Sequence, residues 1–486
     1  MTGPTAPGAQ AEPAGAAGTP PSHGLRAGFG KVDVTPPLEV PYLSYYPRQT
    51  PFQGVHDRLY ARALAVEGPA GNAAAVVALD SLGLSRGVLG QGGDYIATVR
   101  AEVERRTGIP GAHVLLAASH SHSTPQSTDI ADLAEVFPGA GAWLEVLAGQ
   151  IAEAVVRAWA GRRPAVLRGT TGLCPGVAWN RRILTRDGRL VRLAARPPDD
   201  QVLKEPRDDR VPLLLVSDAT SLPGDPGHWR GALMGFTCHP TTVQVQPLVS
   251  ADYPGVACAT VERELEAEAC LFLQGACGDV GPVRATTGFR DVAVYGRALG
   301  GEALRCLSLL EAPDVPPMSP SLAIASEVVE VPRRPLPDAA ELAIRAAALQ
   351  HEIRDAPDDA ARREAIAAYR RVAEPLRLAR LGTGPVRLEV QAVRLGEALI
   401  VACEGELFVE YGARLKDASP ADVTFVAAYS NGYEGYIPTP ATWDEGGYEV
   451  SPGPWTRVGR DGGDVLTERA IALARRVWAG APDGRA

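Results

Sequence analysis

The fold is decided by the segments AAAVVALD (residues 73–80), TVRAEVERR (98–106) and HVLLAASHS (113–121). The first and third are short apolar runs typical of buried strands, whereas the second has the charge and apolar spacing of a helix. The next segment, WLEVLAGQIAEAVVRAWA (143–160), is again helical in pattern. This alternation of strand and helix predicts an α/β protein.

Further strand candidates occur along the chain, and each ends in a loop rich in Gly, Pro, Ser or Asn. We therefore expect a mixed β-sheet core flanked by helices, in one domain from residue 26 to residue 486. Between two of these candidates, residues 336–382 have helical periodicity and predict a helical-hairpin insertion packed on the core. The strand candidates are VPLLLVSD (211–218), ALMGFTCHP (232–240), CLFLQGACGD (270–279), ALIVACEGE (398–406) and TFVAAYSNG (424–432).

The composition is that of a globular protein. Of the 486 residues, 45% are hydrophobic and 22% are charged, which is enough apolar material for a core. The net charge of -9 is spread along the chain, with no basic run. We therefore expect neither nucleic acid nor an anionic membrane as a partner, but a small-molecule substrate. No stretch approaches the ~18 apolar residues of a membrane span.

The cysteines and the N-terminal segment bear on the cellular compartment. The seven cysteines are scattered and odd in number, so we expect reduced thiols. Residues 1–25 are rich in Ala, Gly, Pro and Thr and lack the apolar region of a secretory signal. We therefore expect a disordered tail and a cytoplasmic protein; the oligomeric state has no sequence signal.

Chemically reactive side chains follow several of the predicted strands. His120 and His122 can point to the same side after one strand, and His239, Glu406 and Tyr436 follow others. Each has an ordinary alternative, such as a hydrogen-bonded imidazole or a surface acid. Open α/β sheets bind ligands beyond the carboxyl ends of their strands, and nitrogen and oxygen ligands suit zinc. A zinc site at these strand ends is therefore our interpretation.

The chain resembles the neutral/alkaline non-lysosomal ceramidases through collinear motifs from about Gly28 to Trp478. The resemblance implies that His120, His239, Glu406 and Tyr436 bind zinc. It also implies that His122 and Tyr448 hydrogen-bond the reacting carbonyl region and that Arg181 helps to seat the substrate. The motifs are GVHDRLYAR (54–62), HSHS (120–123), Asn180-Arg181, His239-Pro240-Thr241, GDVGP (278–282), Gly405-Glu406, and Tyr436 with Tyr448.

Two departures from the family pattern affect the expected chemistry. The family carries its proposed nucleophilic serine where this chain has Gly281, so a serine mechanism does not carry over. The family also continues into an immunoglobulin-like domain after the point where this chain ends, and a secretory signal is missing here. We therefore expect a divergent member acting on a small or medium soluble amide rather than on long-chain ceramide at a membrane.

Without the serine, we expect direct attack by zinc-bound water, because zinc lowers the pKa of its water toward ~7 and polarises the carbonyl. The general base is His122 by preference, with Asp279 as the second candidate, and Tyr448 is placed to stabilise the oxyanion. Asp80 and His56 are candidates for orienting the ligands.

Alternatives stay open at this point. Ser123, Thr124 or Cys277 could replace the missing nucleophile, although a buried cysteine is more often inert. An ester, a lactone or a sugar derivative could replace the amide, because the intermediates are similar. A zinc-binding homologue without activity is the third class, and the retention of His122, Arg181 and Tyr448 argues against it.

Overall fold

The structure is a computed structural model, and it has four layers: two mixed β-sheets packed face to face, with helices on both outer sides. The predicted α/β class, with a mixed sheet core flanked by helices, is confirmed. Most of the predicted tail, residues 1–25, lies outside the described residues, but Leu25 is buried in the core. The described residues are 24–42, 50–90, 93–130, 137–192, 196–283, 286–310, 312 and 314–480.

The first sheet has eight strands in the order β8-β7-β6-β5-β1-β2-β3-β4. The edge pairs β3–β4 and β7–β8 are parallel, and the other neighbours are antiparallel. The two strands of each parallel pair therefore end at the same end of the sheet, whereas the odd number of antiparallel neighbours between the pairs makes the two pairs run in opposite directions. The strands are β1 Arg26–Asp33, β2 Tyr60–Glu67, β3 Ala73–Leu79, β4 Val114–Ala118, β5 Arg163–Leu173, β6 Arg210–Asp218, β7 Trp229–Phe236 and β8 Ala269–Gln274.

The second sheet has four strands in chain order, of which only the last two are parallel. They are β9 Leu322–Val331, β10 Val386–Leu395, β11 Ala398–Cys403 and β12 Val423–Ala427. Short strands stiffen the connecting segments: Pro41–Tyr42, Thr50–Pro51, Gly54–Val55, Ala178–Asn180, Arg182–Thr185, Leu190–Arg192, Val202–Lys204, Leu248–Val249, Val280–Pro282, Glu406–Leu407 and Tyr436–Ile437.

Alternation of side chains along the strands supplies each sheet with two apolar faces. Val66 and Val76 of the first sheet lie in one core with Ile400 and Phe425 of the second. The opposite faces are covered by helices. These are α1 Tyr95–Thr107, α2 Ala140–Ala160, α3 Asp252–Glu264, α4 Phe289–Leu309, α5 Ala339–Asp355, α6 Asp359–Arg380, α7 Val409–Asp417, α8 Pro440–Glu445 and α9 Gly462–Trp478.

The predicted helical hairpin is formed by α5 and α6. Its apolar side chains Leu342, Ala346, Val372 and Leu376 form a small cluster of their own, separate from the sheet cores. We expected the pair to pack on the core, and this separate cluster shows that much of its apolar surface is buried between the two helices instead. Its status as an insertion into a single domain spanning residues 26–486 stays a prediction.

Two other sequence expectations concern the cysteines and the membrane. All seven cysteines are free and buried, as expected of reduced thiols in the interior. Within the described parts of the chain, no helix combines the length and apolar character needed to cross a bilayer.

β1 packs closely on α2 at Gly30, and a substitution tests this contact. A Cβ added at Gly30 would lie 2.0 Å from the carbonyl oxygen of Ala154. We predict that Gly30→Ala lowers the free energy of unfolding by about 1–3 kcal/mol or more, because backbone must move. Gly149→Ala, in the same helix and with no atom within 4 Å, should raise it by about 0.5–1 kcal/mol. Urea denaturation measures both, and equal effects would refute this packing.

Candidate metal centre

The site lies where the two sheets meet at one end. His120 follows β4 and His239 follows β7 in the first sheet, whereas Glu406 follows β11 and Tyr436 follows β12 in the second. Glu406 and Tyr436 are direct partners in a two-stranded parallel ladder, so their side chains leave the same face. Four side chains from distant parts of the sequence therefore reach one region.

Backbone hydrogen bonds join the sheets at this end. Asn431 donates its N–H to the Leu116 carbonyl at 2.8 Å, and its side-chain Oδ1 accepts from the Leu116 N–H at 2.9 Å. Ala428 donates its N–H to the Gln274 carbonyl at 2.9 Å. Asn431 has a φ of +60°, a left-handed conformation that asparagine tolerates better than most residues. The junction holds the loop after β12 against β4 and β8.

Backbone carbonyls orient the two buried histidines. His120 Nδ1 is 2.6 Å from the Leu82 carbonyl oxygen, and His239 Nδ1 is 2.5 Å from that of Cys277 and 3.1 Å from that of Val280. A carbonyl only accepts, so the proton is assigned to Nδ1 in each ring, and Nε2 keeps a free lone pair. This is the tautomer that a metal-ligating histidine requires.

The lone pairs converge on one carboxylate. Glu406 Oε2 lies 3.1 Å from His239 Nε2 and 3.5 Å from His120 Nε2. Three acceptor atoms so close repel one another unless a cation lies among them. Two ligands each ~2.0–2.1 Å from a tetrahedral zinc ion are about 3.3–3.4 Å apart, so the spacing fits such an ion.

The electrostatics of the cluster agree with this geometry. Burial, and then the charge of Arg181, lower the pKa of His239 to about 4, so its ring is neutral near pH 7. Burial would raise the pKa of Glu406, but interactions with His120 and His239 outweigh it and hold that pKa well below its usual range. A buried carboxylate that is held ionised beside imidazole nitrogens is a group that a bound cation would stabilise.

Two tyrosines complete the cluster and were missed in the sequence. Tyr433 Oη donates a hydrogen bond to Glu406 Oε1 at 2.5 Å, which leaves Oε2 for the imidazoles. The Tyr429 ring stacks on that of His120 with centroids 4.0 Å apart. The tyrosine-rich loop after β12 was the only signal for them.

His122 belongs to the same cluster but is half-buried, unlike its neighbours. Its Nε2 is 3.2 Å from that of His120, and the ligand atoms of His120, His122 and His239 all lie within 4.8 Å of one another. This position suits either a further metal ligand or a group that exchanges protons with the substrate. The structure thus brings His122 to the place that both roles require.

The predicted substrate-side residues lie beside the cluster. The Arg181 guanidinium is 5.6 Å from the centre of the Tyr448 ring, which contacts the Tyr436 ring edge-to-face at 5.6 Å. Burial raises the pKa of Tyr448 to about 12, so its hydroxyl stays a hydrogen-bond donor at neutral pH. A Cβ at Gly281 would have Arg181 Cδ, at 3.6 Å, as its nearest contact, so this position is open.

Asp279 holds structural hydrogen bonds. Its Oδ1 accepts from the Val409 N–H at 2.8 Å, at the start of α7, and its Oδ2 accepts from Asn180 Nδ2 at 2.7 Å. Burial raises its pKa to about 6. With both oxygens engaged, Asp279 is better suited to positioning the segment that carries Arg181 than to accepting a proton.

Other candidates named from the sequence are engaged elsewhere. Asp80 pairs with Arg62 at 2.8 Å and His56 pairs with Asp57 at 2.7 Å. The expectation that they orient the ligands is therefore wrong, because the backbone carbonyls of Leu82 and Cys277 orient the histidines instead.

The alternative nucleophiles are also poorly placed to react. Burial raises the pKa of the Cys277 thiol, which makes it a poor nucleophile. The Thr124 hydroxyl donates to the Ser121 carbonyl at 2.7 Å, and the Ser123 side chain is buried.

Two surface cavities lie near this end of the molecule. One, of 340 Å³, is lined by Arg192, Gly447, Tyr448 and Glu449 and therefore borders the substrate side of the cluster. The other, of 310 Å³, is lined by Asp279 among other residues, and neither of these two cavities is lined by any of the three clustered histidines.

Solved structures share this architecture. The crystal structure of neutral ceramidase from Pseudomonas aeruginosa matches 94% of this chain and 75% of its own, with a TM-score of 0.67 and 19% identity. The chain has a neutral ceramidase-like fold. A ceramidase structure described as complexed with C2 matches the same share of this chain and 76% of its own, with a TM-score of 0.68 and 18% identity.

Sequence similarity to curated proteins is confined to a short segment. Neutral ceramidases of Drosophila melanogaster and Drosophila pseudoobscura pseudoobscura are each 29% identical over 101 residues, which is 21% of this chain and only 14% of those proteins. No model of a protein family matches the chain. The resemblance inferred from the motifs is confirmed in the neutral ceramidase-like fold.

The cluster predicts one zinc ion per chain. Metal analysis of protein purified without a metal-affinity tag should find stoichiometric zinc, and His239→Ala or Glu406→Ala should abolish it because each removes a converging ligand. His113→Ala is the matched control, since His113 is half-buried and its Nδ1 bonds the Ala73 carbonyl at 2.9 Å, just before β4. Metal content unchanged by both site variants would contradict the assignment.

Proposed function

We propose that this protein is a zinc-dependent hydrolase that cleaves an amide bond in a small or medium substrate by direct attack of water. The observation that carries the proposal is that His120 Nε2 and His239 Nε2 both lie within 3.5 Å of Glu406 Oε2, beside the half-buried His122. Tyr436 is the fourth proposed ligand. These nitrogen and oxygen donors fit zinc, which when bound would polarise a carbonyl and acidify water.

The amide bond is proposed from the structural neighbours. Both solved structures of the same architecture are ceramidases, and ceramide is an amide of a fatty acid. The identity of 18–19% supports the fold, so the reaction is our inference from fold and site together. In this proposal the substrate reaches the centre past the half-buried His122 and through the cavity beside Tyr448.

The chain's own side chains supply the remaining chemistry. His122 accepts the proton of the attacking water and returns it to the departing amine, since its ring is near the centre and partly open to solvent. The Tyr448 hydroxyl donates to the oxygen that gains negative charge, and Arg181 helps to seat the substrate. Asp279 holds the Arg181 segment, because the backbone N–H of Arg181 donates a hydrogen bond to the backbone carbonyl of Asp279 at 2.7 Å.

Replacement of His122 tests its assignment as the base. We predict that His122→Ala keeps its zinc and lowers kcat for an amide by ~10²–10⁴-fold, the usual contribution of a general base. Cys277→Ala should be nearly silent apart from a small packing cost. If His122→Ala loses its metal, His122 is a ligand instead; if Cys277→Ala has the larger effect, the nucleophile is the thiol.

Direct attack predicts that no acyl-enzyme accumulates. Gly281 has no side chain to acylate, so rapid quench should show no burst of product, and intact-mass analysis should show no added acyl mass. A covalent adduct on Ser123, Thr124 or Cys277 would contradict this mechanism and identify the residue that replaces the serine.

A further inference from the structure

Two adjacent arginines in the site have different partners. Arg182 forms ion pairs with Glu445 at 2.8 Å and with Glu449 at 3.1 Å. Arg181 has no carboxylate partner among the described residues, and its Nη2 donates instead to the Gly278 carbonyl. Its Nε is buried without a hydrogen-bond partner within the described chain. Of the two guanidinium groups, that of Arg181 therefore has no direct ion pair within the described chain.

Gly281 and the Tyr448 ring lie next to the Arg181 side chain. Gly281 presents no side chain to it, and a Cβ there would approach Arg181 no closer than 3.6 Å. The other side is the Tyr448 ring, which also borders the 340 Å³ cavity. Arg181 does not itself line this cavity, so a ligand group that enters there would have to pass Tyr448 to reach the N–H groups of Arg181 next to the proposed metal centre.

We propose that Arg181 binds a carboxylate carried by the substrate, so that the enzyme acts on amides of acidic molecules such as N-acyl amino acids. This inference rests on the proposed amide hydrolysis and specifies its substrate class. A guanidinium presents a planar fork of donors that matches the two oxygens of a carboxylate. Its Nε–H and Nη–H groups, unlike those of the paired Arg182, remain for such a ligand.

The physical reason is the cost of an unpaired buried donor. A buried N–H without an acceptor costs free energy, which a protein tolerates where a ligand later supplies the acceptor. A neutral lipid amide would leave the Nε–H unsatisfied, whereas a carboxylate satisfies it and neutralises the charge. Gly281 leaves room for this group at the position where the ceramidase pattern has a hydroxymethyl side chain.

Matched substrates test the proposal. The zinc-loaded protein is assayed with N-acyl amino acids and with their carboxamide analogues, which differ only in the charged group. A second pair places the carboxylate on the acyl side, as in monoamides of dicarboxylic acids. In the preferred pair, we expect kcat/KM to be about 10–100-fold higher for the acid than for its carboxamide analogue. This ratio corresponds to the free energy that a charge-assisted hydrogen bond contributes.

Variants then locate the anchor. Arg181→Gln should reduce the acid-to-carboxamide ratio to near one, and Arg181→Lys should restore only part of it, because lysine lacks the planar fork. Arg189→Gln is the control and should leave the ratio unchanged, since Arg189 is exposed, pairs with Asp187 at 2.7 Å and lines neither cavity. Arg192→Gln tests the rival anchor, because Arg192 is the arginine on the wall of the 340 Å³ cavity. Loss of the ratio in Arg192→Gln but not in Arg181→Gln would overturn the assignment.

Failure of this inference is distinguishable from failure of the proposed function. If amides are hydrolysed but acids and carboxamides react equally, hydrolysis stands and the carboxylate site is refuted. If no amide is hydrolysed, calorimetric binding of the N-acyl amino acids to metal-free His239→Ala protein still tests Arg181, because no metal competes for the carboxylate. Equal binding to His239→Ala and to His239→Ala with Arg181→Gln would refute it.

Discussion

The hydrogen-bonded junction between the two sheets is the constraint on which the site depends. Asn431 bonds Leu116 through both its backbone and its side chain, and Ala428 bonds Gln274. Without this junction, the histidines after β4 and β7 would belong to one layer and Glu406 to another. Because the junction lies at the carboxyl ends of the parallel strands, it brings the three side chains together at the edge of a packed core.

Three of the six non-glycine residues with positive φ in the described chain lie near the junction. His120, Tyr429 and Asn431 have φ values of +64°, +56° and +60°, a conformation that costs non-glycine residues about 1 kcal/mol or more each. These residues lie on both sides of the junction, where backbone bonds and ring stacking hold them in place. The strain orients His120 toward Glu406, so the fold maintains a cluster of acceptor atoms that is unfavourable without a cation.

Much of the fold and part of the candidate site could be predicted because they depend on local pattern. Apolar runs gave the strands, and reactive residues at strand ends suggested His120, His239 and Glu406, which the structure brings together; their role as ligands stays a prediction. The sequence could not indicate that carbonyls orient the histidines or that Asp279 bonds the start of α7. Those contacts join distant segments and follow only from how the layers pack.

The most direct test of the central claim is a crystal structure with anomalous diffraction recorded at the zinc edge. The account predicts a single strong anomalous peak per chain, within bonding distance of His120 Nε2, His239 Nε2 and Glu406 Oε2. A structure of the purified, active protein with no peak there, or with zinc bound only elsewhere, would contradict the claim that this cluster is a zinc centre.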